Sequence, residues 1–153
     1  MSITIRQLTS DDASLMRASL TTFGEAFDDL DTYTASRPSE DYLRTLLGGD
    51  SFIALVALKG DEVIGGIAAY ELRKFEQERS EIYLYDLAVA LGHRRAGIAT
   101  RLIEKLKEVA AERGAYAIFV QADTSPEDEP AIALYSRLGK REEVLHFDIA
   151  VEK

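Results

Sequence analysis

The chain has 153 residues, 46% of them hydrophobic and 29% charged, the profile of an ordinary globular domain with length for one core and not for two. It has no cysteine, which excludes disulfides, thiolate metal sites and cysteine nucleophiles, and its two histidines, His93 and His146, are too few for a typical zinc site. A net charge of −9 disfavours nucleic acid and favours cationic partners drawn in by an acidic field, although acidity that merely maintains solubility would give the same total.

In chain order, "SITIRQL" alternates Ile3 and Ile5 before Leu8 and predicts a first strand. Thr9 or Ser10 then caps a helix that starts among aspartates and breaks near Gly24. "SRPSEDYLRTLLGGD" predicts a second helix, with Pro38 and Ser39 at its start and Gly48-Gly49 as its stop. "SFIALVALKGDEVIGGIAAYEL" predicts a hairpin around Lys59-Gly60-Asp61. "SEIYLYDLAVA" is another strand, and it leads through "GHRRAGIA" into a helix that Gly114 stops. "AYAIFVQA" is a short strand, "EDEPAIALYSRLG" a helix with Pro130 in its early turns, and "REEVLHFDIAVE" an alternating strand expected to close the sheet. No repeat, linker or low-complexity tract interrupts this order, so a single domain, 1–153, is expected. Its fold class is α/β, a mixed and mostly antiparallel central sheet flanked by helices. With no run of eighteen apolar residues and no signal-peptide core at the N-terminus, the expected location is cytoplasmic, without membrane contact.

The segment 87–114 carries the first chemistry. Ile98, Leu102, Ile103, Leu106, Val109 and Ala110 share one helical face, and the charges occupy the other. A helix that opens directly after a strand presents unpaired N–H groups and the positive end of its dipole, which makes an anion site that phosphates commonly fill. Arg94 and Arg95 would add cationic donors, Gly97 would allow close backbone approach, Ala99 keeps the next turn slim and Thr100 can add a hydroxyl. A surface loop with solvated arginines is the competing interpretation. Neither the Walker pattern nor the three-glycine dinucleotide pattern is present.

"RRAGIA", which is Arg94, Arg95, Ala96, Gly97, Ile98 and Ala99, resembles the Arg/Gln-x-x-Gly-x-Gly/Ala signature of the GCN5-related N-acetyltransferases. "YDLAV" resembles the pantetheine-pairing strand of that superfamily, and "ALYSRLGK" its Tyr-x-x-x-Gly motif. The frequent proline between strand and arginine is absent, with Ala90-Leu91-Gly92 in its place. Four further stretches, "FGEAFDD", "GGIAAYELRKFEQERSEIY", "VQADTSPEDEPAIALYSRLGKREEV" and "HFDIAVEK", resemble the gentamicin-type aminoglycoside 3-N-acetyltransferases. The resemblance implies acetyl-CoA as the acyl donor, its diphosphate at residues 94–100 and its pantetheine along Leu87, Ala88 and Val89. It also implies a homodimer.

Acetyl transfer to an amine requires a held coenzyme, a base for the ammonium, donors for the oxyanion and an acid for the leaving thiolate. The resemblance makes Tyr135, four residues before Gly139, the acid; a helix tyrosine with its hydroxyl at the rim of the core is the plainer alternative. For the base, strand alternation puts Glu81, Tyr83 and Tyr85 on one face, with Ile82, Leu84 and Ala88 on the face toward the 97–113 helix. A bulge would bring Asp86 to the first face as well, and Asp123 is a further contender. Acids cluster at Glu25, Asp28, Asp29 and Asp31, again at Asp123, Glu127, Asp128 and Glu129, and again at Glu142, Glu143 and Asp148. The expected acceptor is therefore a small polycationic amine held by Glu25, Asp28, Tyr83, Tyr85, Asp123, Glu127 and Asp148. An acetyltransferase for a polyamine or peptide, and a non-catalytic acyl-CoA-binding module, are the alternatives. No metal site is expected.

Overall fold

The computed structural model describes residues 2–152, and the chain divides into two compact units, Met1–Val120 and Gln121–Lys153. Among the described residues no helix is long and apolar enough to cross a membrane.

The first unit is built on a sheet of order β1-β2-β3-β4-β5, with β1 at Ile3–Gln7, β2 at Phe52–Lys59, β3 at Glu62–Arg73, β4 at Ser80–Val89 and β5 at Ala115–Val120. All pairs are antiparallel except β4 with β5, so the sheet is mixed and mostly antiparallel, as expected. Gly60 (φ 63°) turns the β2–β3 hairpin in the left-handed region. Helix α1 (Ala13–Ala26) is entered through a capping box in which the Thr9 N–H donates to Asp12 Oδ2 at 2.8 Å. Asp12 is buried, and Arg6 holds its other oxygen at 2.6 Å. Gly24 does not end α1. A side chain there would stand 3.2 Å from the Cα of Leu30, so the glycine admits α2 (Leu30–Thr34), a helix that the sequence pattern did not reveal. Helix α3 (Glu40–Gly48) has Ser39 as its cap, accepting from the Tyr42 N–H at 3.1 Å, and ends at the two glycines as expected.

Strand β2 is buried on both faces from Phe52 to Ala57. Phe52, Ala54 and Val56 join Phe23, Met16, Leu43 and Leu47 of α1 and α3. Alternation turns Ile53, Leu55 and Ala57 the other way, toward α4 (Ile98–Glu112), whose Leu102 and Leu106 are fully enclosed. Gly65 and Gly66 of β3 are needed for closeness: a Cβ at either would lie 2.9 Å from a backbone carbonyl, that of Ala88 or of Leu55.

Strand β4 carries one residue more than β3 opposite it. Leu84 faces Ala69 and Asp86 faces Ala68, leaving Tyr85 as the bulged residue. The bulge corrects one expectation. Ala88 packs in the α1/α3 cluster and not on the α4 side with Ile82 and Leu84, because the extra residue shifts the alternation by one.

The second unit holds a turn at Pro126–Asp128, α5 (Glu129–Leu138) and the segment 140–152. That segment has no regular secondary structure, so "REEVLHFDIAVE" does not close the sheet, which has five strands. A strand needs a neighbour for its backbone groups, and apolar alternation without one leaves Leu145, Phe147, Ile149 and Val151 exposed.

Glycine to alanine within a strand ordinarily gains roughly 0.5–1 kcal/mol. At Gly65 the backbone contact reverses the sign: Gly65→Ala is expected to cost about 1–3 kcal/mol in urea unfolding, through overpacking between β3 and β4.

Candidate active site

Strand β4 pairs with β5 only from Ser80 to Leu84, and beyond Val120 the two part. Residues 85–89 therefore have β3 on one side and no strand on the other among the described residues. The backbone of Leu87, Ala88 and Val89 thus has one side unpaired by any strand among the described residues. The parting coincides with the bulge, which tilts the end of β4 out of register.

After Val89 a short turn at Leu91–His93 leads to α4. Two residues of this connection adopt the left-handed region, Arg95 (φ 65°) and Gly97 (φ 76°). At Gly97 the constraint is φ and not space, since a Cβ would meet nothing within 4 Å. Arg95, lacking that freedom, holds a sparsely populated conformation of the kind that clusters at ligand sites. The first helical hydrogen bond runs from the Arg101 N–H to the Gly97 carbonyl at 3.1 Å, and no side chain caps the helix. The N–H groups of Ile98, Ala99 and Thr100 thus open the helix at an exposed loop, Arg94 to Gly97, that also carries two guanidinium groups. Ile98 contributes only its backbone, because its side chain is buried.

Arg94 does more than the sequence implied. Its Nε donates to the Val89 carbonyl at 3.1 Å and its Nη2 to the Ala26 carbonyl at 3.2 Å. The side chain ties the end of β4, the turn and the end of α1 together, with other guanidinium N–H groups left over.

On the opposite side of the bulge stands Asp86. The Tyr33 hydroxyl donates to its Oδ2 at 2.8 Å. Burial pushes the Asp86 carboxyl above the ordinary carboxylate range, and the bond from Tyr33 partly offsets this. Tyr33 is itself raised far above the usual phenol value, by burial first and then by its bond to Asp86, with Asp29 adding a smaller charge effect. The acidic turn after α1 therefore lies within electrostatic reach of the pair. Glu25 and Asp28 of that turn are exposed, and Asp28 sits at φ 51°.

An aromatic row runs beside this pair. Phe52 packs on Tyr70 (5.3 Å between centroids), Tyr70 on Tyr85 (5.6 Å), Tyr85 on Tyr83 (5.6 Å) and Tyr83 on Phe119 (4.6 Å), so four strands contribute one surface. Tyr70 and Tyr83 are both raised, chiefly by burial, whereas Tyr85 is exposed. Such rings offer faces to sugar rings and to cations. Glu81 lies toward the other end of β4, five residues from Asp86 and roughly 16 Å along the strand. There it meets Lys74 at 3.3 Å and the Tyr116 hydroxyl at 3.0 Å.

Tyr33 and Tyr70 went unnoticed in the sequence. Tyr70 has a recoverable signal, since hairpin register places it opposite Tyr83. Tyr33 has none, because it reaches Asp86 across 53 residues from a helix that no pattern announced.

In the second unit, Tyr135 is half-buried on α5, and its carbonyl accepts from the Gly139 N–H at 2.9 Å where the helix ends. The Asp123 N–H donates to Asp128 Oδ2 at 2.7 Å, Glu127 is exposed, and Asp148 meets His146 Nε2 at 2.9 Å.

A mixed sheet that splays where a strand bulges, followed by a basic turn and a helix N-terminus, is the arrangement to be compared with known folds. Residues 14–140 match the family model described as the acetyltransferase (GNAT) family, and the chain belongs to that family. It is 67% identical to an aminoglycoside acetyltransferase from an uncultured soil metagenomic sample, with a TM-score of 0.98 covering 99% of this chain and 100% of that one. A second aminoglycoside acetyltransferase of soil metagenomic origin, solved in complex with sisomicin, is 28% identical with a TM-score of 0.89, covering 98% of this chain and 97% of that one. Among curated proteins, N-acetyltransferase 8F1 of Rattus norvegicus is 27% identical over 118 residues, 70% of this chain; the chain spans about half, 52%, of that relative's length.

A carboxyl raised by burial binds its proton more tightly folded than unfolded. Between the unfolded value, near 3.9, and the raised folded one, the native state holds more protons, so its stability falls as pH rises. In Asp86→Asn that contribution is gone. The parent should lose stability relative to the variant as pH is raised from 3.5 to 8 in urea unfolding, and a constant difference would remove the burial penalty from the account.

Proposed function

We propose that the chain transfers the acetyl group of acetyl-CoA to an amine of a polycationic aminoglycoside, at the 3-amino group of the 2-deoxystreptamine ring in the gentamicin manner. The observation that carries this reading is the 67% identity, over 99% of the chain, to an aminoglycoside acetyltransferase. Acetyl-CoA supplies the acetyl group as an activated thioester. Its diphosphate would lie against Arg94, Arg95 and the N–H groups from Ala96 to Thr100, and its pantetheine along the open edge of Leu87 to Val89.

Asp86 is the proposed base. It takes a proton from the substrate ammonium, directly or through one water, and its raised pKa brings its proton affinity closer to that of an amine than an ordinary carboxylate would be. Tyr33 holds the carboxylate in one orientation by donating to a single oxygen. The freed amine then bonds to the thioester carbon, the carbon–sulfur bond breaks, the thiolate takes a proton from the proposed acid, Tyr135, and the Tyr135 phenolate is reprotonated by the second proton that the nitrogen gives up as it becomes an amide. The support for Tyr135 is its motif on α5, four residues before Gly139. Tyr83 and Tyr85 offer ring faces to the acceptor, joined by Tyr70. Glu25 and Asp28, and in the second unit Asp123, Glu127 and Asp148, are the proposed anionic contacts for its ammonium groups.

Thiol release is to be measured with gentamicin, spermidine and a neutral-sided peptide at two salt concentrations. Gentamicin should be acetylated fastest, and its Michaelis constant should rise with salt, since screening acts on exposed pairs over about 8–10 Å. A peptide preference that salt leaves unchanged would overturn the aminoglycoside assignment, and no thiol release from any amine would overturn the enzyme.

The residues separate by parameter. Asp86→Asn should lower turnover about 10²–10⁴-fold, the range of general acid–base catalysis, with coenzyme affinity held within about twofold. Tyr135→Phe should fall in the same range. Arg94→Ala should weaken coenzyme binding about tenfold or more, the loss of a charge-assisted hydrogen bond. Gly97→Asp should do the same, by strain at φ 76° and by charge. Calorimetry with coenzyme A separates the two groups.

A further inference from the structure

We infer that Arg94 is a positioning residue as well as a coenzyme ligand: it ties the coenzyme turn to the carboxylate of Asp86, so that coenzyme and acceptor each strengthen the binding of the other. This rests on the coenzyme and acceptor sites proposed above, and all the contacts that carry it lie within Met1–Val120.

The first observation is where the Arg94 bonds land. A helix leaves its last carbonyls without intrahelical donors, and each must find one elsewhere. At the end of α1 the Phe27 N–H donates to the Phe23 carbonyl (2.9 Å), the Asp29 N–H to that of Gly24 (2.8 Å) and the Asp28 N–H to that of Glu25 (3.3 Å). The Ala26 carbonyl takes its donor from Arg94 Nη2 at 3.2 Å, 68 residues further along the chain. Arg94 Nε donates to the Val89 carbonyl at 3.1 Å. One planar, rigid fork thus sets the gap between the end of α1 and the end of β4.

The second observation is that both ends lead to Asp86. Val89 lies three residues beyond it on β4. Ala26 is followed by Phe27, whose ring packs on Tyr33 at 5.7 Å between centroids, and the Tyr33 hydroxyl donates to Asp86 Oδ2 at 2.8 Å. The contacts close a circuit from Arg94 through Ala26, Phe27, Tyr33, Asp86 and Val89. Tyr33 rides on α2, which has five residues and is too short to hold itself in water, so its place is set by what its flanks are fastened to. Asp28, in the connecting turn, stands at φ 51°, a conformation that persists only where the surroundings fix it.

Coupling follows from the donors left over. The two carbonyls do not exhaust the guanidinium, whose remaining N–H groups are free to meet a phosphate. A diphosphate that holds them immobilises the same side chain that orders the end of α1, and with it Tyr33 and the Asp86 carboxylate. An acceptor ammonium held by that carboxylate orders the circuit from the other end. By linkage the gain is reciprocal.

The test is calorimetry on the full chain with coenzyme A, which binds without turnover, in the absence and presence of saturating gentamicin. The parent should bind coenzyme A at least about fivefold more tightly with gentamicin present, and gentamicin more tightly by the same factor with coenzyme A present. Arg94→Lys keeps the charge but draws its donors from one nitrogen, so the factor should fall below about twofold. Its turnover at saturating acetyl-CoA should also drop roughly tenfold or more, since small misplacements of a reacting group are costly. Arg95→Lys makes the same exchange one residue on and should keep the parent's factor, whatever its affinity for the coenzyme. Independent binding of the two ligands by the parent overturns the inference. So does a factor that Arg94→Lys leaves intact or that Arg95→Lys abolishes. Failure of either ligand to bind the parent at all strikes the site assignments themselves, and this inference with them.

Discussion

Between Leu84 and Asp86, β4 holds one more residue than β3 can pair, and the geometry around the candidate site follows from that surplus. A bulge shifts the side-chain alternation by one. It places Asp86 near Tyr33 and not against α4, and it moves Ala88 into the α1/α3 cluster. It ends the partnership with β5, so the last five residues of β4 keep an open side. The two glycines of β3 accommodate the same region, since their lack of a side chain lets the Ala88 and Leu55 carbonyls approach to distances that no Cβ would tolerate. A straight β4 would offer neither the open backbone nor the carboxylate.

Charge is divided along this strand. The turn after Val89 gathers guanidinium groups and helix N–H groups, whereas Asp86, Tyr33 and the acidic turn after α1 gather negative charge and lone pairs. Arg94 sits at the boundary, and its bonds to the carbonyls of Val89 and Ala26 fix the spacing between the two regions. A buried carboxylate with a raised pKa is a cost in the folded state. The protein carries that cost beside the bulge of β4, where the backbone is already irregular.

Much of this was legible in the sequence because it rests on local rules. The caps at Thr9 and Ser39, the turn at Gly60 and the amphipathic face of α4 are decided within a few residues, and each stands where the pattern put it. The basic turn at the mouth of α4 was readable for the same reason. The bulge was legible only as an option, since alternation cannot say where an extra residue is absorbed. Tyr33 was not legible at all. Its helix has five residues, too few for a period, and its partner lies 53 positions away. The final strand was misassigned: the alternation at 145–151 is real, but period alone does not supply the neighbouring strand that a sheet requires.

The two edges of the sheet are treated differently, and the difference bears on that last point. Strand β1 exposes Thr4 and Arg6, and the Arg101 guanidinium occupies the Ile3 carbonyl at 2.9 Å. Charge and a donor from α4 guard that edge against further strands, a common device at edges exposed to water. Strand β5 has no such protection along Ala115 to Val120, and its Ile118 and Val120 are half-covered where their β4 partners are fully covered. The two edges of the sheet thus differ in chemistry: β1 carries charge and a side-chain donor on its backbone, whereas β5 presents only apolar and aromatic side chains from Ala115 to Val120.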